Sequence, residues 1–164
     1  MAKIAEHTDA LAFFGTPFGG SDTTKWASFF ERVSHLSHIG KWNKSLLEHL
    51  KTDSHELKTL GEDFPKWLNN PVGSRKKPVH VTCFYEDYPN KILGKHIVPA
   101  DSARLPGHRD LSLPGDHASM CKFDNFEDPK HKIVSTVLKG WVDEIRAANK
   151  ADPPPTVGLS CGRL

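Results

Sequence analysis

Cysteine is scarce and unpatterned in this chain. Its 164 residues include three, Cys83, Cys121 and Cys161, which are an odd number, widely spaced and without a Cys-x-x-Cys pair. That excludes a disulfide framework and suits a reducing compartment. Also missing is any apolar run of membrane-spanning length, and the start MAKIAEHTDA lacks the apolar centre of a signal peptide. A cytoplasmic protein with no transmembrane segment is the expectation. Charge of one sign is absent too: 22 basic residues face 20 acidic ones for a net charge of +2, which gives no general attraction to nucleic acid. The most basic run, Ser74-Arg75-Lys76-Lys77, lies between Pro71 and Pro78 and reads as a solvated loop. There are ten histidines, and His35 and His38 stand one helical turn apart, but no cysteine or histidine cluster of ligand spacing accompanies them. No metal or other cofactor is expected.

What is present fits one domain with its own core. Residues 10–14, Ala-Leu-Ala-Phe-Phe, are continuously apolar, as in a strand covered on both faces of a parallel sheet. They lead into Gly-Thr-Pro-Phe-Gly-Gly-Ser-Asp (15–22), where glycines permit a sharp turn. Ser21 or Asp22 then caps a helix with Trp26, Phe29, Phe30 and Val33 at helical spacing. That stripe is core or lid packing, with an acyl pocket as the sharper alternative.

A second helical region covers 44–68, carrying Leu46, Leu47, Leu50, Leu57, Leu60, Phe64 and Trp67. Asp53 or Ser54 can cap a new start within it, and Pro65 kinks its end or begins another turn. The strongest strand signal is Val-His-Val-Thr-Cys-Phe-Tyr (79–85), β-branched and aromatic, followed at once by Glu86 and Asp87. His96, Ile97 and Val98 read as a third short strand, followed by a long Pro/Gly/Asp loop that holds His117. Asp128-Pro129 is a helix start, with Ile133, Val134, Val137, Trp141, Val142 and Ile145 forming one apolar stripe to about Ala148. The tail contains Pro153, Pro154 and Pro155 and reads as extended or disordered. Strands separated by helices predict an α/β fold of about three parallel strands with flanking helices.

In such sheets function collects in the loops past the C-terminal strand ends. Here those loops hold residues 15–22, Glu86-Asp87, and His117. An acid after one strand and a histidine after the next match the acid-then-histidine half of a serine hydrolase triad. On spacing alone this is a weak signal, and a lone surface histidine is the commoner explanation. Cys121, four residues after His117, shares its face if the segment is helical, but a packed cysteine is the simpler role. One Gly-x-Ser-x-Gly exists, Gly158-Leu159-Ser160-Cys161-Gly162. It follows a triple proline rather than a buried strand, so it is set aside as a nucleophile elbow.

Four stretches carry a family likeness: LAFFGTPFGGSD, SFFERV with the leucine-rich helices after it, VTCFYEDYP, and IVPADSARLPG followed by DHASMCKF. Together they make residues 10–142 resemble the C-terminal part of a serine esterase/lipase-like α/β-hydrolase domain. That family includes serine active site-containing proteins and the hydrolase-like N-terminal domains of fungal NLR-type (NACHT or ankyrin-bearing) proteins. Where the family has Gly-Thr-Pro-His-Arg-Gly-Ser, this chain has Phe18 and Gly19 after Gly-Thr-Pro, so a polar pair near the site is lost.

The resemblance implies His117 as the catalytic histidine and Glu86 as its acid, with Asp87 and Asp101 as the alternatives. It implies an ester or lipid-like substrate, no metal, and an organelle (mitochondrion or endoplasmic reticulum) as the alternative location. The family's nucleophile lies in a Gly-His-Ser-Leu-Gly-Gly elbow on a strand before the one ending in Gly-Thr-Pro. Met1 stands nine residues before Ala10, so that elbow is expected to have no counterpart here. The expected organisation is the C-terminal half of a hydrolase domain over 1–148 and a tail over 149–164. Such a half sheet exposes a hydrophobic edge at residues 10–14, where the chain would self-associate or bind a complementary chain.

Overall fold

The run HVTCFYE makes His80–Glu86 a strand (β2), and its burial is nearly complete along its length. Residues with branched or aromatic side chains fit the pleat, and full burial requires a strand flanked on both sides and covered on both faces. The computed structural model supplies both; it describes residues 7–18, 23–37, 54–69 and 78–151. The strand Ala10–Phe14 (β1) pairs with β2 in parallel, Leu11 opposite Val81 and Phe13 opposite Cys83. On the other side Arg109–Leu113 (β3) pairs with β2, also in parallel, Phe84 opposite Leu111. The sheet order is β1-β2-β3.

Alternation sorts the side chains between two helical layers. Leu11, Phe13, Val81 and Cys83 pack with Phe64, Trp67 and Leu68 of the helix Ser54–Asn69 (α2). Beside them, Phe29 and Val33 of the helix Thr23–Ser37 (α1) meet Tyr85, Ile97, Val98 and Ala103. Phe14, Phe84, Leu111 and Leu113 face the opposite way, onto Ile133, Val134, Val137 and Trp141 of the helix Pro129–Ala151 (α4). The Phe14 and Phe84 rings stack at 4.7 Å across the strand pair. A short helix, Ala100–Ala103 (α3), lies in the connection from β2 to β3. Helices on both faces of a parallel sheet make this a small α/β fold.

The helix start at residues 128–129 forms as its sequence predicts. Asp128 is buried, its Oδ1 accepts the Lys130 N–H at 2.8 Å and its Oδ2 the Asp124 N–H at 3.1 Å. Burial alone would raise this carboxyl, but those two donors and the Lys130 ammonium outweigh it and hold it below the usual range. Pro65 sits inside α2, four residues after Gly61, instead of ending it. Ser54 opens α2 as expected, and residues 44–53 lie outside the described ones.

Three expectations need correction. The third strand is Arg109–Leu113 and not 96–98. Ile97 and Val98 are fully buried, as their sequence suggests, but the Val98 N–H is given to the Glu86 carboxylate and Pro99 follows. The chain before them is a tight loop in which the Asn90 side chain caps the N–H groups of Ile92 and Leu93. β1 is not covered on both faces throughout: Ala12 is exposed and its neighbours are half-buried, because β1 is an edge strand. The last helix runs to Ala151, past Ala148, and the residues after it lie outside the described ones.

Removing the α4 cap tests this account. Asp128→Ala leaves two N–H groups without their acceptor and should cost about 1–2 kcal/mol in urea unfolding, with Asp128→Asn recovering most of it.

Candidate active site

Parallel strands deliver their C-terminal ends to one rim of the sheet, and three segments meet there. The first is the end of β2. Glu86 is 2 % exposed, the last residue of the central strand, on the side that faces α4. Its Oε1 accepts the Val98 N–H at 2.6 Å and its Oε2 the His117 N–H at 2.9 Å. Burial pushes this carboxyl above its ordinary value, against the pull of those N–H donors and of His96.

The second segment follows β3. Pro114 and Gly115 break the strand, and the Gly115 carbonyl accepts the N–H groups of Asp87 at 3.1 Å and Tyr88 at 3.0 Å. One tight turn comes next. The Ser119 hydroxyl donates to Asp116 Oδ1 at 2.6 Å, the Ser119 N–H to the same oxygen at 3.0 Å, and the Asp116 N–H to Ser119 Oγ at 3.0 Å. The Ser119 bond holds the Asp116 carboxyl below the usual range. Met120, 1 % exposed, anchors the turn in the core beneath α4. His117 is thereby fixed at both backbone and base.

The third segment is the end of β1. Gly15 has φ +54°, and its N–H is donated to the Phe84 carbonyl at 2.8 Å. A Cβ on Gly15 would stand 2.7 Å from His117 Cε1 and 2.8 Å from Nδ1. The imidazole therefore lies directly over this glycine, where no side chain fits.

Glu86 Oε1 and His117 Nδ1 are 3.8 Å apart, an ion-pair distance longer than a hydrogen bond. Burial lowers the imidazole's proton affinity, partly countered by Asp116. Both shifts disfavour charge, so burial outweighs the attraction within the pair. A neutral imidazole with a buried carboxyl at Nδ1 can accept a proton at Nε2, and the carboxylate then stabilises the cation.

Of the carboxylates considered, Glu86 is buried with an oxygen 3.8 Å from His117 Nδ1, whereas Asp87 and Asp101 are exposed. Phe18, at the place where the resembled family has a histidine, packs edge-on against Phe13 at 5.0 Å and gives its N–H to the Ser102 carbonyl. Cys121 lies in the turn and not on a helix; it is exposed and its thiol is raised by the burial of its sulfur, the reverse of an activated nucleophile. Trp26, Phe29, Phe30 and Val33 form a packed aromatic cluster within α1, with Trp26 and Phe30 stacked at 6.1 Å. Residues 19–22, Arg75–Lys77, His38 and the Ser160 motif lie outside the described residues. Among the described residues no three His, Cys, Asp or Glu side chains converge as metal ligands, and no helix is long and apolar enough to cross a membrane. A cleft of about 740 Å³ lies beside the turn against the start of α4 and includes Asp116 and Ser119 but neither Glu86 nor His117.

Neither Gly15 as the platform for the imidazole nor the Asp116–Ser119 lock is among the features expected from the sequence. The lock had a signal, Asp-x-x-Ser at capping spacing. Contact with Gly15 is tertiary and had none.

Gly15→Ala should destabilise the protein by about 1–3 kcal/mol and displace the His117 ring, visible as changed imidazole NMR shifts. The pH dependence of stability has two arms. Between the ordinary carboxyl value of 4.5 and the raised value of Glu86, the folded state holds the extra proton, so stability falls as pH rises. Between the lowered value of His117 and the ordinary 6.5, the unfolded chain holds it, so stability falls as pH drops. Urea unfolding across pH should show the first arm lost in Glu86→Gln and the second lost in His117→Gln. A scan against protein-family models, a search of curated proteins and a search of solved structures each found no match to this chain.

Proposed function

We propose that this chain carries the acid and histidine half of a serine ester or lipid hydrolase site and has no hydrolytic activity alone. One observation supports this above the rest: a buried carboxylate at the end of the central parallel strand holds the backbone of a histidine from the loop after the next strand and sits 3.8 Å from its Nδ1. In the proposed chemistry His117 Nε2 takes the proton of a serine hydroxyl as that oxygen attacks the ester carbonyl. Glu86 stabilises the resulting imidazolium, and the proton then passes to the leaving alcohol. The serine is what the chain lacks: its single Gly-x-Ser-x-Gly follows three prolines. The chain then acts through binding or regulation in the cytoplasm.

A second version, a working carboxylesterase or lipase-like enzyme, applies when another polypeptide segment supplies the serine. The observation favouring it is that β1 ends at Gly15, against His117, with its outer edge unpaired among the described residues. A parallel strand added there would end beside the imidazole.

A fluorophosphonate probe separates these outcomes. The full chain should remain unlabelled and should not hydrolyse p-nitrophenyl esters above buffer. Labelling that disappears in Ser160→Ala would overturn the proposal and restore the tail motif as a nucleophile. A Gly-His-Ser-x-Gly coding segment upstream of Met1 would instead favour the completed enzyme.

A further inference from the structure

We propose that two copies of this chain pair edge to edge through β1, antiparallel about a two-fold axis at Ala12, to make one continuous sheet. This does not rest on Glu86 or His117, and it competes with the completed-enzyme version for the same outer edge of β1. The Gly15 N–H is given to the Phe84 carbonyl, and the Asp9 carbonyl accepts the His80 N–H. In a parallel ladder alternate residues turn both backbone groups to the same neighbour. Leu11 and Phe13 therefore face β2, and Ala10, Ala12 and Phe14 direct their N–H and C=O groups to the open side. Among the described residues no strand pairs with that side, and Ala12 is exposed.

The two edges of the sheet differ in protection. β3 carries Arg109 and Asp110, and Asp110 is paired with Arg104 at 3.0 Å. Charged residues on a short strand discourage pairing. β1 has none of these devices: Ala-Leu-Ala-Phe-Phe holds no charge and no proline, and its register with β2 runs without a bulge.

The sequence of the edge argues for a second copy as the occupant. Two-fold symmetry at Ala12 sets Ala10 opposite Phe14 of the other copy and Leu11 opposite its Phe13. Large side chains thus meet small or medium ones, the two Ala12 residues allow close approach at the axis, and no like charges oppose. Ala12 exchanges reciprocal N–H to C=O bonds with Ala12 of the other copy, and Ala10 does so with Phe14. An axis normal to the sheet preserves its faces, so the α2 layer of one copy continues into the α2 layer of the other.

Sedimentation equilibrium of the full chain should give a dimer. Ala12→Pro removes an N–H that points outward and leaves the β1–β2 ladder whole, since proline is tolerated on an edge. It should weaken the dimer at least about ten-fold with an unchanged far-ultraviolet circular dichroism spectrum. Ala12→Lys sets two ammonium groups at the axis and should dissociate the dimer most at low salt; it decides the matter if Ala12→Pro does not fold. A wild-type monomer throughout the accessible concentration range overturns the proposal and leaves the edge to another chain. A dimer that survives both substitutions overturns it as well.

Discussion

The rim of this fold depends on one buried carboxylate. Glu86 ends the central strand, and its two oxygens take N–H groups from two different connections, at Val98 and at His117. The arrangement is costly: an ion removed from water loses several kcal/mol. Hydrogen bonds to a charged acceptor return about 1.5–3 kcal/mol each. Those magnitudes nearly balance, with burial ahead, as the raised carboxyl shows. What the pair of bonds secures is position. They tie the segment at 96–98 and the turn at 116–120 to the end of β2 by directional bonds, which apolar packing does not supply.

That position matters because the sheet is small. Among the described residues β2 alone has strand neighbours on both sides, and it is the strand buried along most of its length. Polar groups tied to β2 inherit its rigidity, whereas groups on β1 or β3 sit on edges. His117 comes from a loop after an edge strand, yet its backbone is bonded to the central strand and its ring lies on Gly15. The histidine is thereby held from both sides of the sheet, as a proton-transfer group requires.

The sequence revealed the parts governed by local chemistry. Continuous apolar runs marked β1 and β2, the Asp128-Pro129 pair marked α4, and Glu86 and His117 stood at the ends of their segments. It misplaced β3 because two signals competed. Ile97 and Val98 look like strand residues and are buried, but their burial lies in a connection whose N–H groups serve a side chain. Arg109-Asp110-Leu-Ser-Leu looks like loop, since its polar half masks a two-residue alternation carried by Leu111 and Leu113 alone. Only pairing with β2 makes it a strand. The same holds for the exposure of Ala12, which follows from sheet order and not from the run of residues around it.

The candidate base and the unprotected edge share a residue, and this links them. Gly15 closes the β1–β2 ladder through its bond to Phe84, adopts a left-handed conformation, and underlies the imidazole so closely that even a methyl group would collide. Any strand that pairs with β1 pulls on that ladder within one residue of Gly15. Packed interiors transmit such shifts instead of absorbing them, and a displacement of a few tenths of an ångström alters a ring contact of this kind. Gly15 is thus the residue at which the edge strand and the candidate base meet.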